Sequence, residues 1–211
     1  MDKLHVVLDL DATLVNSLGY DQTTINILKK NPEYSYLTNR VKFVDVVDVL
    51  DDNEKGKGIV TSFVVVLRPH VREFLNFLLH NVGKISIYSA GHKRYVRAIE
   101  AALFDTSSEL YKKKVHRVLT RANCAITETS ILKDLEREGF DLSRTIIIDD
   151  NPTSFVRNRN NAIHISEYKP DLSKNKIEED DTALVIIMNW LRDNFKNFHD
   201  VRNVQKPIFQ M

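Results

Sequence analysis

The sequence predicts an α/β fold in which a parallel sheet is flanked by helices and carries an inserted β-hairpin. Short β-branched runs alternate along the chain with segments whose apolar residues recur at helical spacing. The β-branched runs are almost wholly apolar, as expected for strands that are covered on both faces. One segment, residues 41–68, departs from this alternation and shows two strand-like runs joined by a charged, glycine-containing turn. Together these patterns indicate β-α units interrupted by one hairpin.

The predicted elements follow one another in a regular order. Strands are predicted at residues 4–10, 84–91, 113–119, 145–150 and 161–168. Helices are predicted at residues 69–83, 93–104, 128–139 and 180–195. Residues 16–40 show weaker periodicity, so we expect a surface excursion there before the hairpin. The insertion as a whole covers about residues 16–66.

Length and composition indicate one domain spanning residues 1–211. The chain has 211 residues, of which 43% are hydrophobic, enough to bury a single core. Its net charge of +1 gives no global field that would attract nucleic acid or a membrane surface. The lone cysteine, Cys124, cannot form an internal disulfide, and no stretch reaches the roughly 20 apolar residues of a membrane span. We therefore expect a soluble, intracellular protein without nucleic-acid or membrane partners.

Acidic and hydroxyl side chains stand at the ends of three predicted strands. Asp9 and Asp11 end the first strand, Ser89 ends the second, and Asp149 with Asp150 end a later one. Ligands of parallel sheets bind beyond the carboxyl ends of the strands, so we expect these side chains to share one crevice. Converging carboxylates are unfavourable unless a cation neutralises them, and hard oxygen ligands favour Mg²⁺. The sequence therefore predicts a magnesium site at this edge of the sheet.

Lys133, on the predicted helix at residues 128–139, could supply positive charge for an anionic substrate. Each of these residues also has a simpler interpretation. An aspartate at a strand end is usually a turn former or a helix cap, Ser89 could be a turn residue before Gly91, and a lysine on a helix is usually solvated. Their combination and their order in the chain favour the functional interpretation.

Four motifs occur along the chain in the order DLDATLV, IYSAG, LKDL and IIIDDNP. This series resembles the haloacid dehalogenase superfamily, whose phosphatases carry an aspartate nucleophile on a Rossmann-like sheet. LRPHVREFL, DTALVIIMNWL and HDVRNV resemble more closely the small phosphatases of the RNA polymerase II C-terminal domain. The resemblance covers residues 4–204 and implies a Mg²⁺-dependent protein serine/threonine phosphatase. It also implies a phosphorylated protein substrate, such as that polymerase domain, and, by family alone, a nuclear location.

The resemblance implies a role for each acidic residue. Asp9 would attack phosphorus to give an aspartyl-phosphate, and Asp11 would act as general acid and then as general base. Asp9, Asp150 and the backbone carbonyl of Asp11 would hold the metal. Asp149 would complete the metal site by orienting a metal-bound water or Lys133.

The remaining residues of the implied site face the phosphate and the substrate. Ser89, with backbone amides, would hold phosphate oxygens, and Lys133 would compensate negative charge. Thr13 is placed on the substrate side of the site, where we expect it to fix the loop after Asp9 more than to touch substrate. Tyr95 matches an aromatic residue of the family's proline pocket, and Arg121 in LTRANC matches a substrate-side arginine.

Four positions depart from the pattern of the small family members, and at one of them Ser89 replaces a common threonine and keeps the hydroxyl. Gly19 stands where those members have an aromatic pocket residue, so the pocket for a proline beside the phosphoserine is half kept. Ala12 replaces a common glutamate that phosphoryl transfer does not need. Asp150 replaces an asparagine, which preserves an oxygen ligand.

Two other functions remain open at this point. One is a phosphatase for small phosphorylated metabolites, although such enzymes of the superfamily more often carry a large closing cap. The other is a phosphopeptide-binding module without turnover, although binding alone does not need a nucleophile together with an acid/base. For a protein substrate, we expect peptide specificity to lie in the hairpin, Tyr95 and Arg121.

Overall fold

The computed structural model describes residues 3–19, 26, 30, 39–50, 56–170, 181–194 and 199–209. Its strands are, in chain order, β1 (His5–Leu8), β2 (Val15–Gly19), β3 (Val41–Val47), β4 (Val60–Leu67), β5 (Lys84–Tyr88), β6 (Val115–Leu119), β7 (Ala125–Ile126), β8 (Ile131–Leu132), β9 (Thr145–Asp149) and β10 (Ala162–His164). Its α-helices are α1 (Val71–Asn81), α2 (Lys93–Leu103), α3 (Glu109–Lys114) and α4 (Ala183–Asn194). Within these residues, none of the helices has the length and apolar character needed to cross a bilayer.

The central sheet is parallel, with strand order β10-β9-β1-β5-β6. Strand β1 therefore lies between β9 and β5. Because these three strands run in the same direction, the residues that follow them meet at one edge of the sheet. The strand order confirms that the strands preceding Asp9, Ser89 and Asp150 are neighbours.

Both faces of the central sheet are covered. Along β1, Val6 and Leu8 pack in the cluster formed with α1, α2 and α4, whereas Val7 packs in a separate cluster on the other face. That second cluster includes Leu135 and Phe140, which belong to a turn rather than to a helix. The alternation explains why β1 is almost wholly apolar.

The predicted hairpin at residues 41–68 is confirmed as β3 and β4, which pair antiparallel. A third strand, β2, pairs with the other edge of β4 and gives the order β2-β4-β3. The prediction of a surface excursion at residues 16–40 is therefore wrong for residues 16–19, which complete this small sheet. Most of residues 20–38 and residues 51–55 at the hairpin tip lie outside the described part of the chain.

The predicted helix at residues 128–139 is wrong. The chain instead forms the two-residue strands β7 and β8, which pair antiparallel, and then a series of turns. The carboxylate of Asp134 accepts a hydrogen bond from the Arg137 amide at 3.0 Å, a local bond that competes with helix formation. The amide of Lys133 donates to the carbonyl of Ser154 at 2.6 Å, which holds this lysine against the chain that follows β9.

Several element boundaries also differ from the predictions, among them that of β10, which covers Ala162–His164 where a strand at 161–168 is predicted. Residues 113 and 114 end α3 instead of beginning the strand predicted at 113–119. In the last helix the stripe of Leu184, Ile187, Met188 and Leu191 is buried as expected, while Phe195 lies outside the described residues.

Arg68, at the end of β4, connects distant parts of the chain to the loop after β1. Its side chain is fully buried. The guanidinium donates to the carbonyl of Thr13 at 3.0 Å, to Ser166 Oγ at 3.0 Å and to Asp181 Oδ2 at 2.9 Å. The loop after β1 is thus fixed by residues that precede and begin the last helix.

Candidate active site

Asp9 and Asp11 lie in a tight loop at the carboxyl end of β1. The carbonyl of Leu10 accepts hydrogen bonds from the amides of Leu14 at 2.8 Å and Val15 at 3.0 Å, so the chain turns back directly after the strand. Ala12 has a φ of 59°, in the left-handed region that non-glycine residues seldom occupy. Both aspartates line a cavity of about 540 Å³ at this edge of the sheet.

Lys133 forms two short ion pairs at the bottom of the cavity. Its Nζ lies 2.6 Å from Asp9 Oδ1 and 2.7 Å from Asp149 Oδ2, and the lysine is only 2% exposed. Burial alone would lower the pKa of Lys133, but the charges of Asp9 and Asp149 raise it above its ordinary value. Ser154 Oγ donates to the same Asp149 oxygen at 2.7 Å. Asp149 thus lies against the lysine, while its role in orienting Lys133 or a metal-bound water stays a prediction.

Asp9, Asp149 and Asp150 form a cluster in which one carboxylate oxygen from each lies within 4.8 Å of the others. Burial raises the pKa of Asp9 well above its ordinary value; Lys133 opposes this shift and Asp149 adds to it. Burial, followed by the charge of Asp149, also raises the pKa of Asp150. Because Lys133 is already shared between two carboxylates, ionising all three leaves an excess of negative charge. This all-oxygen donor set fits a hard divalent cation such as Mg²⁺.

Thr13 connects two members of the acidic cluster. Its hydroxyl lies 3.0 Å from Asp150 Oδ1 and 3.3 Å from Asp9 Oδ2, and it accepts a bond from the Asp150 amide at 3.1 Å. Thr13 is completely buried. This position agrees with a role in fixing the loop after β1, while a contact between Thr13 and substrate stays a prediction.

Asp11 accepts a hydrogen bond from Tyr95, a contact that the sequence did not indicate. The hydroxyl of Tyr95 donates to Asp11 Oδ1 and lies 2.6 Å from Ser17 Oγ. Burial raises the pKa of Asp11, and the hydrogen bonds from Tyr95 and Ser17 oppose that shift. The Tyr95 ring packs edge-on against Phe63 of β4, with ring centroids 5.2 Å apart. Tyr95 was expected to line the substrate pocket, but the structure places its hydroxyl on the second aspartate.

Ser89 and Arg121 lie on the other side of the cavity. Ser89 Oγ accepts a hydrogen bond from the Gly91 amide at 3.0 Å, and the Arg121 amide donates to the Gly91 carbonyl at 2.8 Å. Ser89 and Arg121 both line the cavity together with Ala90 and Gly91. The two sequence motifs IYSAG and LTRANC are thus joined at Gly91.

The turn between β7 and β8 forms a wall that sequence reasoning missed. Residues 126–131 line the cavity, and the turn is closed by bonds from the Ser130 amide to Thr127 Oγ1 at 3.0 Å and from the Thr127 amide to the Ser130 carbonyl at 2.9 Å. The polar run TETS was a turn signal within the predicted helix. Among the described residues, none of the inserted sheet lines the cavity.

Residues 4–202 match the family described as NLI interacting factor-like phosphatase. This chain belongs to that family. The matched range includes every residue of the site described above, from Asp9 to Ser154.

Curated members of this family are similar to the chain over most of its length. The human protein "Carboxy-terminal domain RNA polymerase II polypeptide A small phosphatase 1" is 28% identical over 178 residues, covering 84% of this chain and 57% of that protein. The "Probable C-terminal domain small phosphatase" of Dictyostelium discoideum is 30% identical over 199 residues, covering 94% of this chain and 53% of that protein. The chain thus spans about half the length of these relatives.

Solved structures confirm the fold expected of the NLI interacting factor-like phosphatase family. A beryllium fluoride complex of the fission yeast RNA polymerase II CTD phosphatase Fcp1 superposes with a TM-score of 0.70 at 17% identity, covering 95% of this chain and 69% of that one. A second Fcp1 structure gives a TM-score of 0.63 at 21% identity, covering 98% of this chain and 56% of that one. The parallel, Rossmann-like sheet of the haloacid dehalogenase fold is therefore confirmed.

Proposed function

We propose that this chain is a Mg²⁺-dependent protein serine/threonine phosphatase that acts through an aspartyl-phosphate intermediate. The observation that carries the proposal is the position of Asp9, 2.6 Å from the buried Lys133 cation and in the same cavity as Asp11. A nucleophile, a charge-compensating lysine and an acid/base candidate thus share one site. A module that only bound phosphopeptides would not need all three.

In the first step, an oxygen of Asp9 forms a bond to phosphorus while the bond from phosphorus to the serine or threonine oxygen breaks. Asp11 gives its proton to the departing oxygen, which leaves as a neutral hydroxyl. Burial of Asp11 favours the protonated form required for this transfer. The hydrogen bond from Tyr95 holds one carboxylate oxygen of Asp11 in place, so the proton is carried by a group of defined orientation.

In the second step, water attacks the phosphorus of the aspartyl-phosphate and gives a proton to Asp11, which is now a base. The bond between phosphorus and the Asp9 oxygen breaks, and inorganic phosphate leaves with the starting state of both aspartates restored. Lys133 balances the negative charge of Asp9 and the phosphoryl group, while Ser89 and neighbouring backbone amides bind phosphoryl oxygens.

The acidic cluster would hold Mg²⁺ through the carboxylates of Asp9 and Asp150 and the backbone carbonyl of Asp11, with Asp149 orienting Lys133. When bound, the ion would supply Lewis acidity and positive charge at the phosphoryl oxygens. The excess of carboxylates over cations in the cluster supports this assignment.

We propose phosphoserine peptides resembling the RNA polymerase II C-terminal domain as the substrate class. Support comes from the names of the relatives and from Arg121, which lines the cavity beside Gly91. Gly19 removes one apolar wall, so we expect a weaker requirement for a proline next to the phosphoserine. We also propose that residues 1–211 form one catalytic domain and, by resemblance to these relatives alone, that it acts in the nucleus.

The test is activity against a panel of phosphopeptides, with a small aryl phosphate and phosphorylated metabolites alongside, each with and without Mg²⁺. Asp9→Asn, which removes charge and keeps shape, should lower turnover by at least about a thousandfold. Circular dichroism should show that the variant remains folded. Near-wild-type turnover by Asp9→Asn would contradict the covalent route, and a preference for metabolites over every peptide would contradict the substrate class.

A further inference from the structure

We propose that a second cavity, at the amino ends of the parallel strands, binds an oligophosphate anion. The cavity has a volume of about 580 Å³ and is lined by residues at the beginnings of β1, β5, β6 and β9. Since these strands are parallel, the cavity lies at the sheet edge opposite Asp9 and Asp150. The inference does not depend on the function proposed for the first cavity.

The lining of this amino-end cavity is rich in positive charge. Its permanent cations and imidazoles are Lys3, Lys84, Arg117, Arg144, His5 and His116. Among the described lining residues, Asp141 alone is acidic, and its Oδ1 already accepts bonds from the amide and the hydroxyl of Ser143 at 2.9 and 2.7 Å. Positive charge gathered from four strand beginnings favours an anion.

Strand register explains how these side chains reach one place. His5 is paired with Lys84 on one side and with Thr145 on the other. Arg117 is paired with Ser86, two residues beyond Lys84 and so on the same face of the sheet. The basic residues are therefore brought together by the sheet rather than scattered over the surface.

The imidazole of His5 lies close to these positive charges. Its ring lies 5.7 Å from the His116 ring, and its Nε2 lies 2.8 Å from Ser86 Oγ. Burial lowers the pKa of His5 to about 3, and the nearby positive charges of His116, Arg117 and Lys84 contribute to the shift. An anion in this cavity would meet cations and a neutral imidazole.

Two buried polar atoms in the lining lack a partner. In the described part of the chain, neither Thr145 Oγ1 nor Arg117 Nε has a hydrogen-bond partner, although Thr145 is 0% exposed. A buried donor without a partner is unfavourable, so native structures usually pair such a group with protein, water or a bound ion. The Arg117 guanidinium is fixed by its bond to the Glu138 carbonyl at 2.6 Å and by the Phe140 ring, 4.0 Å away. Both unpartnered groups can donate to an anionic oxygen.

Size and charge together indicate more than one phosphate. A single phosphate would leave most of a cavity of about 580 Å³ unfilled and could not reach all of its cations. An oligophosphate spreads several anionic oxygens over such a lining, and a guanidinium can bind phosphate oxygens in a bidentate manner. The pyrophosphate and triphosphate groups, free or as part of a nucleotide, share this chemistry.

Titration with pyrophosphate, followed by amide NMR in Mg²⁺-free buffer, tests the proposal and separates the two cavities. Gly83 and Gly139 line the amino-end cavity, whereas Gly91 lines the cavity of Asp9. We expect saturable shifts of the Gly83 and Gly139 amides. A parallel titration with a nucleoside triphosphate shows whether the base adds affinity. Shifts confined to Gly91, or no saturable shift with either probe, would overturn the proposal.

Two variants and a matched control locate the anion. Thr145→Val keeps the shape of the side chain, removes the unpartnered hydroxyl and should weaken pyrophosphate binding about tenfold without loss of thermal stability. Lys84→Ala, at an exposed position, should weaken it about threefold. Lys169→Ala removes an exposed lysine beyond β10 and should leave binding unchanged. Equal affinities for wild type, Thr145→Val and Lys84→Ala would refute the site even if pyrophosphate binds.

Discussion

Replacing Lys133 with methionine should destabilise the fold as well as abolish activity. Methionine keeps the apolar part of the side chain, but the cation that lies 2.6 Å from Asp9 and 2.7 Å from Asp149 is lost. Lys133 and Asp149 are 2% and 0% exposed, so water cannot replace the missing charge. Removing one partner of a buried ion pair costs about 3–5 kcal/mol, because the remaining charge is buried without compensation.

For a chain of this size, a loss of about 1 kcal/mol lowers the melting temperature by about 2–4 °C, so Lys133→Met should melt roughly 6–20 °C below wild type. Thermal unfolding followed by circular dichroism in EDTA measures the difference. Mg²⁺ should raise the melting temperature of Lys133→Met more than that of wild type. A bound cation would replace part of the positive charge that the variant has lost beside the carboxylates.

Asp9→Asn is the matched control for this experiment. It removes one of three carboxylates that share a single lysine. The melting temperature in EDTA should therefore stay unchanged or rise, while turnover is lost. A melting temperature of Lys133→Met within about 2 °C of wild type would correspond to a loss of less than about 1 kcal/mol. That result would refute the view that this lysine neutralises the cluster.

Three further variants separate metal binding, proton transfer and substrate recognition. Asp150→Ala should raise the Mg²⁺ concentration that gives half-maximal activity, and full activity in Ca²⁺ alone would speak against this metal site. Tyr95→Phe keeps the ring on Phe63 but frees Asp11, so steady-state kinetics should show kcat about tenfold lower with little change in KM; a raised KM with unchanged kcat would instead place Tyr95 on the substrate. Arg121→Ala should reduce kcat/KM for an acidic or doubly phosphorylated peptide more than for an aryl phosphate, and equal losses on both would show that Arg121 only supports the fold.

The parts of the site that follow directly from strand ends could be predicted from the sequence. Asp9, Ser89 and Asp149 each come at the end of an apolar run, and the parallel order β9-β1-β5 brings those ends together. The local hydrophobic pattern is enough to place these residues, because it shows where each strand runs and at which residue the strand ends.

The element that carries Lys133 could not be predicted in the same way. Ile131, Leu132 and Leu135 have helical spacing, but they lie on a short strand and a turn, where Asp134 bonds to the following backbone. Burial of the lysine against two carboxylates outweighs the local preference for a helix.

The contact between Tyr95 and Asp11 depends on packing between residues far apart in the sequence, which local sequence patterns do not reveal. It requires β2 to bring Ser17 alongside and β4 to support the Tyr95 ring with Phe63. Residues 15–19 have weak periodicity, so neither the strand nor the hydrogen bond was expected. Long-range packing of this kind appears only once the strands are assembled.

The bonds of Arg68 have a consequence for the timing of synthesis. Asp9 leaves the ribosome early, yet the guanidinium that holds the carbonyl of Thr13 is paired with Ser166 and Asp181, which are made much later. Among the described residues, the carboxylate paired with the buried charge of Arg68 is Asp181, so burial of this charge is unfavourable until Asp181 emerges. In a nascent chain, Asp9 would therefore be exposed long before the loop around it is ordered, and that order would arrive only with Asp181, just before α4.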